Sequence, residues 1–223
     1  MTENGPEAPP IQTVYDRIGS HFSETRQYPW TDVTDFLESV VGTIGLDIGC
    51  GNGRHTEELA RVVETPIGVD LSHTLLTEAI TRAAEADFGA SFVQGTATKL
   101  PVADSTVDVG LYIAAIHHLR SRTARIRSLN ELARVLSPDG TALVSSWCTT
   151  HDRFDRTNGF DTTIDWTLPD GESVPRFYHI YDPEEFEADV VDSEIECQEA
   201  WVSRGNCYAW VGTEMKTSYP GTS

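Results

Sequence analysis

Apolar residues recur along this chain in two rhythms. Ile11, Val14, Tyr15, Ile18 and Phe22 fall three or four apart and predict a helix from Ile11 to Phe22. Val33, Phe36, Leu37, Val40 and Val41 predict a second from Thr31 to Val41. An apolar run from Val40 to Ile48 then reads as a strand that ends in glycines, and Arg54 to Ala60 reads as a helix. Pro66 to Val69 is a short strand closing on Asp70, and Ser72 caps a helix carried by Leu75, Leu76, Ala79, Ile80 and Ala83. Ala90 to Gln94 and Val107 to Ile113 predict strands, and Ser121 to Leu136 an amphipathic helix. The turn Ser137-Pro138-Asp139-Gly140 leads to a strand from Thr141 to Trp147. Strands and helices alternating at this spacing predict an α/β domain, with a mostly parallel sheet and helices on both faces.

Both ends depart from that rhythm. Residues 1–10 are rich in Pro, Glu and Gly and are expected to form a disordered leader. Cys148 to Pro175 is polar and irregular, so 148–181 is expected to be a loop segment serving a substrate. Asp182 to Val191 looks helical. Ser193 to Ser203 and Asn206 to Gly212 look like an antiparallel pair turning at Arg204-Gly205, which brings the sheet to seven strands. The chain is expected to be one domain over 11–213, with residues 11–43 covering the sheet or a ligand mouth, and 214–223 a flexible tail.

The candidate chemistry starts at Asp47-Ile48-Gly49-Cys50-Gly51-Asn52-Gly53-Arg54. Strand, glycine loop and helix together offer backbone N–H groups and a helix N-terminus to a polar ligand. A dinucleotide fingerprint needs a third glycine where Arg54 stands, and Asp47 suits an ammonium better than a pyrophosphate. The stretch resembles the cofactor loop of class I S-adenosylmethionine-dependent methyltransferases, and the terminal antiparallel pair separates that class from dehydrogenases of similar topology. Asp70, at the end of the second strand, can accept ribose hydroxyls, or can simply complement a helix dipole. Thr96 stands where the class often has an acid holding the adenine amino group, so backbone near Ala97 is the alternative contact, and Ile113 closes the fourth strand beside it.

Composition narrows the setting. Among 223 residues, 35 acids stand against 16 bases for a net charge of −19, with lysine only at Lys99 and Lys216. An acid-rich, lysine-poor surface suits solubility in molar salt, so a halophilic source, an archaeon, is expected. At about 1 M salt the Debye length is roughly 3 Å, so local clusters rather than net charge select partners. Cys50, Cys148, Cys197 and Cys207 form no Cys-x-x-Cys pair, and neither a disulfide frame nor a metal site is expected. No apolar run approaches a membrane span, and a cytoplasmic location is expected.

His117-His118 end the fourth strand, within reach of the glycine loop. Lone histidines commonly serve the fold, whereas a pair at this place suits a substrate role. Arg120, Arg122, Arg125 and Arg127 follow, either as a solvated helix face or as a phosphate-binding cluster at the mouth.

Further blocks resemble one family within the class. Tyr15-Asp16-Arg17-Ile18, His21-Phe22-Ser23-Glu24-Thr25-Arg26, Pro29-Trp30, His117-His118 and Arg176-Phe177-Tyr178-His179-Ile180-Tyr181 occur in the order seen in wobble-uridine tRNA methyltransferases. These enzymes esterify the carboxylate of a carboxymethyl group on the first anticodon base. The resemblance implies S-adenosyl-L-methionine as cofactor and the tRNA anticodon loop as substrate. It also implies a small zinc-binding activator protein as partner in a heterodimer, with the edge strand Ala90 to Gln94 as its expected docking place. A carboxylate needs no general base, only cations and donors to align it, and Arg26, His117, His118, Arg176 and His179 are the expected supply. Tyr28, Trp30 and Tyr178 could stack on the base, with Arg120 and Arg122 on phosphates. The rivals are a methyltransferase for a small metabolite and a silent tRNA- or partner-binding subunit.

Overall fold

The computed structural model describes residues 8–213, so most of the expected leader and all of the expected tail lie outside the described residues. Its elements run α1 (Ile11–Glu24), α2 (Thr31–Glu38), β1 (Gly42–Ile48), α3 (Arg54–Leu59), β2 (Val63–Asp70), α4 (His73–Glu85) and β3 (Ser91–Gln94). They continue with β4 (Val107–Ile113), a 3-10 turn at Ile116–His118, α5 (Arg122–Val135), β5 (Leu136–Trp147), β6 (Phe160–Thr167) and β7 (Ser173–Ile180). The chain ends with α6 (Pro183–Val191), β8 (Glu196–Ser203) and β9 (Asn206–Gly212).

The main sheet has seven strands in the order β3-β2-β1-β4-β5-β9-β8, the first five parallel and the last two antiparallel. Strand β4 shows why it is covered on both sides. Val109 and Leu111 pack with Val33, Phe36 and Leu59 of α2 and α3, while Tyr112 packs with Leu129 and Leu132 of α5. Each fully buried leucine there contributes about 1.5–3 kcal/mol. The expected turn Ser137 to Gly140 loops out within β5, between the pairs Val107–Leu136 and Val109–Thr141. Ser72 caps α4 by accepting from Leu75 N, and its hydroxyl also donates to Asp16 Oδ1 at 2.7 Å, which ties α1 to α4. The sheet order reverses between β1 and β4, and a crevice opens there at the strands' carboxyl ends.

The expected irregular segment needs correcting. Residues 160–180 form an antiparallel hairpin, β6–β7, separate from the main sheet. Its turn uses Gly171 at φ +87° and the Asp170 carboxylate accepting from Glu172 N. Val174 packs against Val14 and Ile18 of α1, so the hairpin and the N-terminal helix together roof the crevice.

Candidate functional site

The floor of the crevice is the glycine loop. Gly49, Gly51 and Gly53 all have positive φ (69°, 55° and 77°). A Cβ at Gly49 would lie 2.5 Å from Ala115 Cβ, whereas one at Gly51 would meet nothing within 4 Å. The loop therefore packs tightly on one side and leaves an open cradle at Gly51. Asp70 secures it from β2: one carboxylate oxygen accepts from Gly51 N and the other from Ser72 N, each at 2.8 Å. Asn52 secures it from above, its amide donating to Arg26 O at 2.9 Å and Ser23 Oγ at 3.1 Å.

Over this floor lies a cavity of about 190 Å³. Asp70, Thr96, Ala97 and Ile113 line one end, and Arg26, Trp30, Arg54 and His55 another. His117, His118, Trp147, Arg176 and Tyr178 form the remaining wall. Sequence reasoning assigned no role to Asn52, His55 or Trp147. Trp147 ends β5 at the rim of the crevice, which is the one signal that could have drawn attention to it.

The paired histidines carry opposite tautomers. His118 Nδ1 lies 2.8 Å from Phe177 O, which can only accept, so Nδ1 holds the proton and Nε2 accepts from Tyr15 Oη at 2.9 Å. His117 Nδ1 accepts from Trp147 N at 3.2 Å, so its proton sits on Nε2, which has no hydrogen-bond partner among the described residues. Burial keeps both rings neutral: it lowers His118 to about 3 and His117 well below the ordinary histidine value, with neighbouring cations adding to both shifts.

Arg176 is the least conventional group. It is 5% exposed, its guanidinium lies 5.0 Å from the Trp166 ring and 5.2 Å from the Tyr178 ring, and no carboxylate pairs with it among the described residues. Its Nε is buried with no hydrogen-bond partner. A buried, unpaired guanidinium facing a cavity is costly unless an anion completes it.

Other expected site residues lie elsewhere. Asp47 sits beneath the loop, 1% exposed, and its carboxylate accepts from Thr56 Oγ1 at 2.7 Å. Burial raises it to about 7, so it braces the loop rather than lining the cavity. Gly53 caps α3 and packs toward Ala79. His179 turns away from the cavity: its Nδ1 is 2.7 Å from Asp161 and its Nε2 2.8 Å from Glu185, which ties β7 to β6 and α6. It belongs with the supports of the wall, not with the groups that touch ligand. Tyr28 is 83% exposed and outside the lining.

The arginine cluster is corrected as well. Arg122 pairs with Asp189 and Asp192, and Arg125 is 3% exposed and pairs with Glu185 and Asp189. Arg120 lies over Phe177 and donates to Ala8 O. These side chains fasten α5 to α6 and β7. The partners of Arg122 and Arg125 lie 60 to 70 residues later, which is why the sequence alone leaves the cluster open to a phosphate-binding reading.

The residues fit S-adenosylmethionine. The cradle at Gly51 admits close approach of a ligand, and Asp70 keeps lone pairs for ribose hydroxyls at the cavity end shared with Thr96 and Ala97. The cations Arg26 and Arg54 line the same cavity and form no ion pair among the described residues, which suits an amino-acid carboxylate. This sheet order and site define a class I S-adenosylmethionine-dependent methyltransferase.

Comparisons with known proteins agree. A family model described as a methyltransferase domain matches residues 46–144. The chain is 34% identical over 179 residues to a putative methyltransferase of Encephalitozoon cuniculi, covering 77% of this chain and 80% of that one. It is 36% identical over 138 residues to the tRNA (carboxymethyluridine(34)-5-O)-methyltransferase of Arabidopsis thaliana, covering 61% of this chain and 32% of that one. The Saccharomyces cerevisiae protein of the same name is 31% identical over 173 residues, covering 74% and 59%. The chain thus spans well under two thirds of the Arabidopsis protein and just under that share of the yeast one. Among solved structures, the CcbJ methyltransferase of Streptomyces caelestis superposes with a TM-score of 0.72 at 17% identity, covering 91% of this chain and 98% of that one. A Clostridium acetobutylicum S-adenosylmethionine-dependent methyltransferase gives 0.70 at 14%, covering 90% and 96%. The chain belongs to the class I S-adenosylmethionine-dependent methyltransferase family, and its sequence is similar to the carboxymethyluridine tRNA enzymes.

Proposed function

We propose that this chain methylates the carboxylate of a carboxymethyl group on the wobble uridine of tRNA, in the cytoplasm, as the catalytic subunit of a heterodimer with a small zinc-binding activator. The observation that carries this reading is Arg176, a buried guanidinium that lines the cavity, with an unpartnered Nε and no paired carboxylate among the described residues. The names of the relatives supply the substrate class.

Bound S-adenosylmethionine supplies an electrophilic methyl group. A carboxylate of ordinary pKa near 4 is already ionised at neutral pH, so no base is needed. Arg176 would hold one carboxylate oxygen and the Nε2–H of neutral His117 would donate to the same group, which orients the carboxylate and leaves an oxygen lone pair unengaged. Neither histidine competes by protonating the nucleophile, because burial holds both neutral. Tyr178 and Trp147, stacked at 5.1 Å, close the wall and exclude water.

The test is methyl transfer from labelled S-adenosylmethionine to tRNA taken from a strain deleted for this gene. Arg176→Ala should lower kcat/KM by about 10- to 150-fold, the worth of one hydrogen bond to a charged group, while calorimetric cofactor affinity holds. Unaltered wobble uridines in the deletion strain overturn the substrate assignment. For the activator, β3 is an edge strand, and Val93 points outward at 38% exposed. Phe92 instead packs over Gly68. Val93→Asp should abolish co-purification of the activator, and retained binding removes β3 as its docking place.

A further inference from the structure

Net charge makes the arginines informative. With 35 acids against 16 bases, carboxylates are plentiful, and Arg17, Arg61, Arg82, Arg122, Arg125 and Arg134 each pair with one. Arg153, Arg156 and Arg204 are exposed and form no ion pair among the described residues. Arg153 and Arg156 follow Trp147 in the chain, and Arg204 stands at the β8–β9 turn that packs on the same segment.

The geometry starts at Trp147, which lines the cavity. His151 stacks on its indole, ring centroids 5.5 Å apart at 22°, and Phe154 follows at 6.2 Å. His151 Nδ1 accepts from Arg153 N, which holds that residue at the turn, and the Arg156 guanidinium lies 4.5 Å over Phe160, itself packed on Phe154. From the other side, the β8–β9 turn packs on the same histidine: a Cβ at Gly205 would lie 2.6 Å from His151 Cβ. Arg204, beside it, donates to Thr31 Oγ1 at 3.0 Å, next to the cavity residue Trp30. Acids share this surface but form no ion pair with these cations among the described residues. Asp152 and Asp155 share the loop but pair with neither arginine, and Asp32 accepts from Ser203 Oγ and Trp201 Nε1 instead.

We infer that Arg153, Arg156 and Arg204, with the His151–Phe154 ledge between them, form the surface that grips the RNA backbone beside the splayed nucleotide. This inference rests on tRNA being the substrate and replaces the α5 arginines as the phosphate contacts. Guanidinium groups interleaved with aromatic rings suit single-stranded RNA, where phosphates and unstacked bases alternate.

The test is binding of labelled tRNA by the full chain over a potassium chloride series. The triple variant Arg153→Gln, Arg156→Gln, Arg204→Gln should weaken binding at least tenfold. It should also reduce the slope of log affinity against log salt by about 0.7 for each arginine removed. Arg127→Gln, at an exposed arginine of α5 that forms no salt bridge among the described residues, serves as control and should change neither. S-adenosylmethionine titration reports that each variant is folded. Unchanged affinity and slope in the triple variant, an equal loss in the control, or a wild-type chain that does not bind tRNA overturns the inference. Methyl transfer by the wild type is scored separately, so a tRNA-binding chain that methylates no carboxylate refutes the function and not this surface.

Discussion

The opposed tautomers of His117 and His118 lead to a prediction in which two neighbouring residues answer the same substitution differently. Asparagine places its amide near the Nδ1 position of histidine and has nothing at Nε2. In His117→Asn the side-chain oxygen can still accept from Trp147 N, now 3.2 Å from Nδ1, but the Nε2–H donor to substrate is gone. In His118→Asn the amide N–H can still donate to Phe177 O, 2.8 Å from Nδ1, and only the acceptor for Tyr15 Oη is lost. A hydrogen bond to a charged group is worth about 1.5–3 kcal/mol, so His117→Asn should lower kcat/KM by about 10- to 150-fold. A neutral bond is worth about 1 kcal/mol, so His118→Asn should cost stability of that order in urea unfolding and little in transfer to bound substrate. The assay is single-turnover methylation beside urea titration, with ¹⁵N spectra of the imidazoles reporting the tautomers directly. A His117 ring protonated at Nδ1, or a His117→Asn variant as active as wild type, refutes the reasoning.

Two further expectations concern pH and the cofactor. His118 has its folded-state pKa depressed to about 3 from an ordinary 6.5, so the unfolded chain binds the extra proton, and stability is lost as pH falls below 6.5. Between pH 7 and 5 this amounts to up to about 2 kcal/mol. Asp47, raised to about 7, acts in the opposite sense, since its contribution fades as pH rises through that value. His118→Asn isolates the histidine: on lowering the pH from 7 to 5 the urea midpoint should fall less, or rise more, than in wild type, and an equal change contradicts the assignment. Asp70→Asn keeps the size of the side chain but gives one of its two acceptor positions to an NH₂ that faces Gly51 N or Ser72 N. Cofactor affinity by calorimetry should fall at least tenfold, and an unchanged Kd removes Asp70 from the site.

The parts legible in the sequence are those set by short-range signals. The glycine loop announces itself because positive φ at Gly49, Gly51 and Gly53 leaves little choice of residue, and the parallel strands because each ends at a turn or a cap. Hairpin β6–β7 is not legible in the sequence, although Pro169-Asp170-Gly171 marks its turn. Strand β7 is buried on both faces from Arg176 to Ile180, so it shows no alternation to read. Arg122, Arg125 and His179 read as exposed or functional because the carboxylates that claim them, on α6 and β6, are close only after folding. His117, His118 and Arg176 were visible as chemistry, but the division of labour among them depends on which backbone groups each ring meets.

Asn52 has a consequence for the order of events. One buried amide holds both the glycine loop and the segment from Ser23 to Arg26. A ligand that seats the loop therefore also fixes Arg26 at the cavity wall, and a ligand drawn to Arg26 steadies the loop in return. Coupling of this kind is reciprocal and worth about 1–3 kcal/mol, or roughly 5- to 150-fold in affinity. The nucleoside and amino-acid ends of the cofactor should each tighten the other's hold, so adenosine and methionine should bind cooperatively, and Asn52→Ala should let them bind independently.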